Sequence, residues 1–247
     1  MLPSRPDEAR GSADGRAACI RSNPGHMTAT LRGLYAITPD DTDNQRLCAL
    51  VAKALAGGID ALQFRVKGGS AAARLAQARA VKRLTDAAGV PLIVNDDVAL
   101  ACAIDAQGVH IGRDDGDPAQ ARDRIGPDKW LGVSCYDDFR RAQAVIGIAD
   151  HVGFGSVFAS PTKPHAVRAP LTLFTQAREL GLKSVAIGGI DRHNAALPIE
   201  AGAQAVAIIT DIFADPDPAA AARMLREIVH AALSRQSDSG SDSARRK

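Results

Sequence analysis

From residue 34 to residue 209, short apolar runs alternate with longer amphipathic segments. The runs cover 34–38, 59–66, 92–95, 108–111, 130–134, 151–154, 184–187 and 205–209. Four to eight apolar residues bounded by Gly, Pro, Asn or Asp have the length and composition of buried strands. The segments between them show helical spacing. Leu47, Leu50, Val51, Ala54 and Leu55 form one stripe, and Gly57-Gly58 ends it. Ala221, Met224, Leu225, Ile228, Val229 and Ala232 predict one buried face on a last helix. Pro198 predicts a late start for the helix after Gly189, with Asn194 as its cap. Eight strand–helix units over roughly 200 residues predict a single-domain α/β fold, a closed parallel (β/α)8 barrel of the TIM type. An open doubly wound sheet is the runner-up, but no G-x-G-x-x-G follows the first run.

The polar residues that end these runs carry the chemistry. In a parallel barrel every strand ends on one rim. Two consecutive runs end in acid, at Asn95-Asp96-Asp97 and at Gly112-Arg113-Asp114-Asp115, so Asp96 and Asp115 can meet across that rim. Facing carboxylates repel unless one is protonated or a cation lies between them. Two hard oxygen ligands suit Mg2+, which keeps several waters and takes substrate phosphate as well. Helix capping by Asp96 and Asp97 is the competing explanation.

The other strand ends read as anion sites. Gln63, Arg65 and Lys67 alternate on one face of the second strand as it leaves the barrel, which aims an amide and two cations the same way. After the sixth run, Pro161 and Pro164 stiffen a loop that carries Ser160, Thr162 and Lys163. Gly188-Gly189 after the seventh run allows close approach of backbone N–H groups to an anion, and Thr210 after the eighth adds a hydroxyl. Each feature alone also fits an ordinary surface loop. Together they describe a rim with cations and carboxylates on one half and glycine and hydroxyls on the other, suited to two phosphorylated ligands.

Composition narrows the setting. The chain has 247 residues, 46% of them hydrophobic, and a net charge of +2. A charge this small gives no reason to expect nucleic acid. No apolar run reaches the roughly 20 residues of a membrane span, and no secretory signal is visible. Cys19, Cys48, Cys102 and Cys135 lack paired spacing and read as reduced thiols of a cytoplasmic protein. Cys135 reads as a packed thiol, His110 as a core or rim hydrogen-bonding group, and His151, His165 and His193 carry no distinct signal. Residues 1–30 and 235–247 are polar and aperiodic, and are expected to be disordered extensions of a domain spanning 31–234. Oligomeric state is left open, a homo-oligomer included.

The motifs "LYAITPD", "LQFRVK", "LIVNDDVALA", "GVHIGRDD", "LGVS", "GFGSVFASPTKP", "AIGGI" and "AGAQAVAIIT" occur in an order that resembles the thiamine-phosphate synthase family. They cover about residues 34 to 213. The resemblance implies a TIM barrel that joins hydroxymethylpyrimidine diphosphate to thiazole phosphate with Mg2+ and releases diphosphate. It implies Gln63, Arg65, Lys67 and Asn95 as holders of the pyrimidine diphosphate, and Asp96 and Asp115 as Mg2+ ligands. Ser134 falls on the pyrimidine side. Ser160, Thr162, Gly189, Ile209 and Thr210 fall on the thiazole phosphate, and Lys163 near the diphosphate. Lys163, Arg65, Lys67 and Ser134 are then the catalytic set. The chain departs from the family pattern at Arg113, where Gln is frequent and where the cation can pair with Asp114. It departs again at Asp114, where Glu is frequent, and at Ser160, where Thr is. Rival readings are a thiazole tautomerase, a metal-free phosphate isomerase and a non-catalytic phosphate-binding barrel; the intact acidic pair and Lys163 favour the synthase.

Overall fold

A computed structural model describes residues 30–159 and 167–244. Eight strands alternate with helices: β1 (Gly33–Ile37), β2 (Ala61–Phe64), β3 (Leu92–Asn95), β4 (Gly108–Ile111), β5 (Trp130–Tyr136), β6 (His151–Phe154), β7 (Ser184–Ile187) and β8 (Ala205–Ile208). Neighbouring strands pair in parallel, and β8 pairs with β1, which closes the barrel. The helices are α1 (Asn44–Gly57), α2 (Ala71–Ala88), α3 (Val98–Ala103), α4 (Pro118–Ile125), α5 (Phe139–Gln143), α6 (Thr172–Glu179), α7 (Ala196–Ala201), α8 (Thr210–Phe213) and α9 (Pro218–Ala244). No helix among the described residues is long and apolar enough to cross a membrane.

Strand alternation divides the core in two. Outward residues such as Leu34, Ala36, Leu62, Phe64 and Val94 pack against the helices in one large cluster. Inward residues such as Tyr35, Ile37, Ala61, Ile93, Trp130, Val185, Ala205 and Ala207 fill the barrel, with Leu31 packed among them. Each buried Leu, Ile or Phe contributes about 2 kcal/mol relative to exposure. The larger outer cluster therefore carries most of the fold.

α1 matches its apolar stripe: Asp43 caps it by accepting from Gln45 and Arg46 N–H, and Gly58 ends it at φ 90. Asp60 then ties the first strand to the last helix, accepting from Leu34 N–H at 2.7 Å and contacting His230 Nε2 at 2.7 Å.

Several expectations need correction. β2 stops at Phe64, short of the run to residue 66, because the next backbone group bonds a side chain in place of a strand: Thr38 Oγ1 accepts from Arg65 N–H at 2.8 Å and donates to Arg65 C=O at 3.1 Å. β5 runs on to Tyr136 through an irregularity between Ser134 and Tyr136. α7 starts late, at Ala196, but without a side-chain cap. Asn194 instead accepts from Asp191 N–H and donates to Gly189 C=O. On α9, Met224 lies 45% exposed, off the buried face, which uses Ala222 and Leu233 in its stead. α9 also continues past residue 234 to Ala244. Polar residues just beyond that boundary are anchored: Arg235 reaches Glu200, and Gln236 donates to Ile199 C=O and Ala203 C=O. Residues 1–29 and 245–247 lie outside the described residues.

Candidate active site

The C-terminal ends of β2 to β5 bring together one half of the expected rim. Gln63 points into the barrel, 3% exposed, and donates from Nε2 to Tyr35 Oη at 2.8 Å. That bond fixes the amide and leaves its oxygen for another partner. Burial raises the Tyr35 phenol above its ordinary range, so it stays protonated. Arg65 is held through its backbone by Thr38, and Lys67 N–H donates to Asp40 Oδ1 at 2.8 Å. Both cations act on Asp96 electrostatically, which puts them on the same side of the rim as the acidic pair.

Asp96 and Asp97 divide the two roles that the sequence left open. Asp97 caps α3 by accepting from Leu100 N–H at 2.8 Å. Asp96 sits at φ 66, a left-handed conformation that costs about 1 kcal/mol for a non-glycine residue. This turn directs its carboxyl to Asp115 on the next strand end. The Asp96 carboxyl is pushed up to about 6, by partial burial first and then by its hydrogen bond and repulsion with Asp115, against the pull of Lys67 and Arg65. Asp115 is exposed and accepts from Gly112 N–H at 2.7 Å, which folds its loop back on itself. Among the described residues no group of three or more metal-binding side chains forms. Two facing carboxylates suit a cation that completes its shell with water and phosphate.

Ser134, inward on β5, has its Oγ 2.9 Å from His110 Nε2. Arg141 on α5 joins the two strand ends: Nε donates to Ser134 C=O at 2.8 Å and Nη2 to Gly112 C=O at 3.2 Å. Arg113 N–H donates to Tyr136 Oη at 3.3 Å, and the Arg113 guanidinium lies 4.9 Å from the centre of the Tyr136 ring. Arg113 is thus stacked on Tyr136 in place of an ion pair with Asp114. Tyr136 adopts φ 56 beside the β5 irregularity, which turns its ring out to meet the arginine.

On the opposite half, Gly188 and Gly189 follow β7 with φ 100 and φ 65. Their lack of side chains serves the neighbouring loop as well as any ligand. A Cβ on Gly188 would lie 2.2 Å from Ser156 Oγ, and one on Gly189 would lie 2.4 Å from Ala159 C=O. The chain after β6 therefore runs directly over the two glycines, with Phe158 N–H donating to Gly188 C=O at 2.9 Å. Ile209 precedes α8 and Thr210 opens it, exposed. Arg192 clamps the loops after β7 and β8 together through Asp211 and Asp215. Ser160, Thr162 and Lys163 lie outside the described residues, as does His165.

Four positioning groups carried no sequence signal. Tyr35, Thr38 and Arg141 act on residues distant in sequence. His151 is the fourth: it is 3% exposed inside the barrel, stacked on His110 with ring centres 5.6 Å apart. The one available hint was the inward alternation of His151, Gly153 and Gly155, in which small residues leave room for a ring. Cys135 is buried and its thiol is pushed up to about 12 by desolvation, which fits a packed and unreactive group.

A family model described as thiamine monophosphate synthase matches residues 34–212. The chain belongs to the thiamine-phosphate synthase family. It is 54% identical over 200 residues to the thiamine-phosphate synthase of Chromobacterium violaceum, covering 81% of this chain and 97% of that one. It is 52% identical over 203 residues to the thiamine-phosphate synthase of Aromatoleum aromaticum, covering 81% and 98%. Among solved structures, thiamine phosphate pyrophosphorylase from Pyrococcus furiosus superposes with a TM-score of 0.72 at 30% identity, over 81% of this chain and 96% of that one. Orotidine 5'-phosphate decarboxylase from Pyrococcus horikoshii superposes with a TM-score of 0.60 at 15% identity, a likeness of fold alone. Within the thiamine-phosphate synthase family, the match spans every barrel strand described above except the first residue of β1.

Proposed function

We propose that this chain is a Mg2+-dependent thiamine-phosphate synthase, joining hydroxymethylpyrimidine diphosphate to thiazole phosphate at the C-terminal rim of the barrel. The observation that carries the reading is the facing of Asp96 and Asp115 within the electrostatic reach of Arg65 and Lys67. Membership of the family supports the same conclusion.

The residues suit a dissociative displacement. Gln63, Asn95 and Ser134 orient the pyrimidine, while Arg65, Lys67 and Lys163 neutralise the diphosphate. A bound Mg2+, held by Asp96 and Asp115, supplies further charge neutralisation to the leaving group. The bond from the pyrimidine methylene carbon to the diphosphate oxygen breaks, and its electron pair leaves on that oxygen. The electron-rich aminopyrimidine spreads the positive charge left on the methylene. The thiazole nitrogen then donates its lone pair to form the new carbon–nitrogen bond. Ser160, Thr162, Gly189, Ile209 and Thr210 are the groups assigned to the thiazole phosphate, and holding it beside the pyrimidine makes the attack effectively unimolecular. Fixed cations aimed at the developing diphosphate charge act without reorganising during the reaction. No protein nucleophile takes part, which agrees with the inert setting of Cys135.

The test is diphosphate release by the purified protein with both substrates, with and without Mg2+. Release that requires both substrates and the metal, matched by thiamine phosphate, supports the synthase. Binding of thiazole phosphate without release would favour the tautomerase.

A further inference from the structure

The barrel interior beneath the candidate site holds two histidines that the proposed reaction does not use. His151 is buried and His110 half-buried with its Nδ1 shielded from solvent, and their rings stack at an interplanar angle of 28°. Three of their four ring nitrogens, His110 Nδ1 and both nitrogens of His151, have no protein hydrogen-bond partner. The fourth, His110 Nε2, lies 2.9 Å from Ser134 Oγ. Buried polar groups left unpaired destabilise a fold by about 1–3 kcal/mol each, so their arrangement needs a reason.

Gly132 supplies part of it. A Cβ at that position would lie 2.3 Å from His110 Nδ1 and 2.3 Å from His151 Nε2. The two nitrogens therefore face one small space that the glycine keeps open. A hydrogen bond across that space requires that one nitrogen carry a proton and the other a lone pair. Serine, His110 and His151 then form a single string with only two polarities. If protons run inward, His151 is left with an unpartnered Nδ1–H. If they run outward, His151 is left with an unpartnered lone pair. Among backbone groups, orphaned buried N–H donors are rarer than under-satisfied acceptors, and we extend the same preference to the ring. The Lys183 ammonium also acts on His151 electrostatically and disfavours a second proton on its ring.

We propose that His151 and His110 are positioning residues that fix the Ser134 hydroxyl as a hydrogen-bond donor toward the mouth. His151 Nε2–H donates to His110 Nδ1, and His110 Nε2–H donates to Ser134 Oγ. The Ser134 proton is then turned outward, where it meets an acceptor such as a ring nitrogen of an aminopyrimidine. A ligand offering a donor at that place leaves two protons opposed and binds poorly. The substrate side of this inference rests on the synthase reading; the string itself does not.

The experiment has two parts. Long-range 1H–15N spectra of the histidine-labelled wild-type protein report each ring's tautomer, and Nε2–H is expected at both His110 and His151. An Nδ1–H tautomer at His110 overturns the proposal, whatever reaction the protein catalyses. In the kinetic part, His151→Phe fills the space but removes the donor. The KM for the pyrimidine diphosphate is expected to rise about fivefold, the effect of one lost neutral hydrogen bond, with kcat and the KM for thiazole phosphate unchanged. His110→Gln, which keeps a side-chain N–H donor, is expected to recover part of the affinity that His110→Leu loses. Equal changes in both KM values would mean a purely structural role and sink the positioning claim. Failure of the wild-type protein to release diphosphate sinks the synthase reading and leaves the tautomer measurement standing.

Discussion

The Asp96 carboxyl faces that of Asp115, although the two residues follow different strands and Asp96 reaches its partner from a left-handed backbone conformation. In the metal-free protein this pairing opposes ionisation. Asp96 is raised from its ordinary value of 3.8 to about 6, so ionising it works against the fold as pH rises through that interval, and the penalty is complete above about 6. Replacing Asp96 by Asn removes the penalty. After discounting for solvent screening, the metal-free variant is expected to gain about 1 kcal/mol at pH 8, a rise in Tm of about 3 °C. Mg2+ is expected to raise the Tm of the wild-type protein and not that of Asp96→Asn, and diphosphate release should fall by about a hundredfold or more. A variant that is still stabilised by Mg2+ would take Asp96 out of the metal site.

Arg141 bridges the carbonyls of Ser134 and Gly112, so it sets the spacing between β5 and the loop that carries Asp115. Arg141→Met keeps the length of the side chain and removes both bonds. The Mg2+ concentration for half-maximal rate is expected to rise about tenfold, the scale seen when residues supporting metal ligands are lost. The KM for thiazole phosphate should stay as in the wild type. A parallel loss on both substrates would point to general unfolding, which thermal melts of the same samples would reveal.

Burial lowers His110 to about 4 and His151 to about 3, so both are neutral at physiological pH. Their unfolded values are near 6.5, and a lowered histidine contributes no penalty above that point. As pH falls below about 6.5 the unfolded chain takes up protons that the folded barrel refuses, and stability drops by about 1.4 kcal/mol per pH unit for each ring until the folded values are reached. Urea midpoints between pH 7 and pH 5 are expected to fall less steeply for His151→Gln than for the wild type. Identical slopes would mean that His151 titrates normally.

Gly189 holds φ 65 with the Ala159 and Phe158 carbonyls occupying the space a Cβ would need. Gly189→Ala is expected to lose about 2 kcal/mol of stability from strain and displacement of the loop after β6. That loop leads into Ser160 and Thr162, so the KM for thiazole phosphate should rise while the requirement for Mg2+ does not. Unchanged thiazole phosphate binding would separate Gly189 from that subsite.

Much of this molecule was legible in the chain itself. Strand length, β-rich composition and intervening helical periodicity are local properties, so the eight runs mark the eight strands to within a few residues. The acids at Asp96 and Asp115 could be assigned to one rim because parallel strands share a direction. What periodicity could not show was which of two adjacent acids does what. Asp97 caps α3 and Asp96 faces Asp115 because one backbone dihedral differs, and a dihedral is decided by the packing around it. β2 could not be ended correctly from sequence, since Thr38, just past the end of β1, takes over its hydrogen bonds. Met224 fits the apolar period of its helix, yet α9 turns that side toward solvent. His151 was silent for the same reason: its meaning comes from His110 and Gly132 on neighbouring strands. The sequence by itself determined the elements, their order and the chemical groups at their ends, because these follow from contacts between residues close in the chain. Only closure of the barrel decided which groups face one another, because those contacts join residues on different strands and exist only once the sheet has wrapped upon itself.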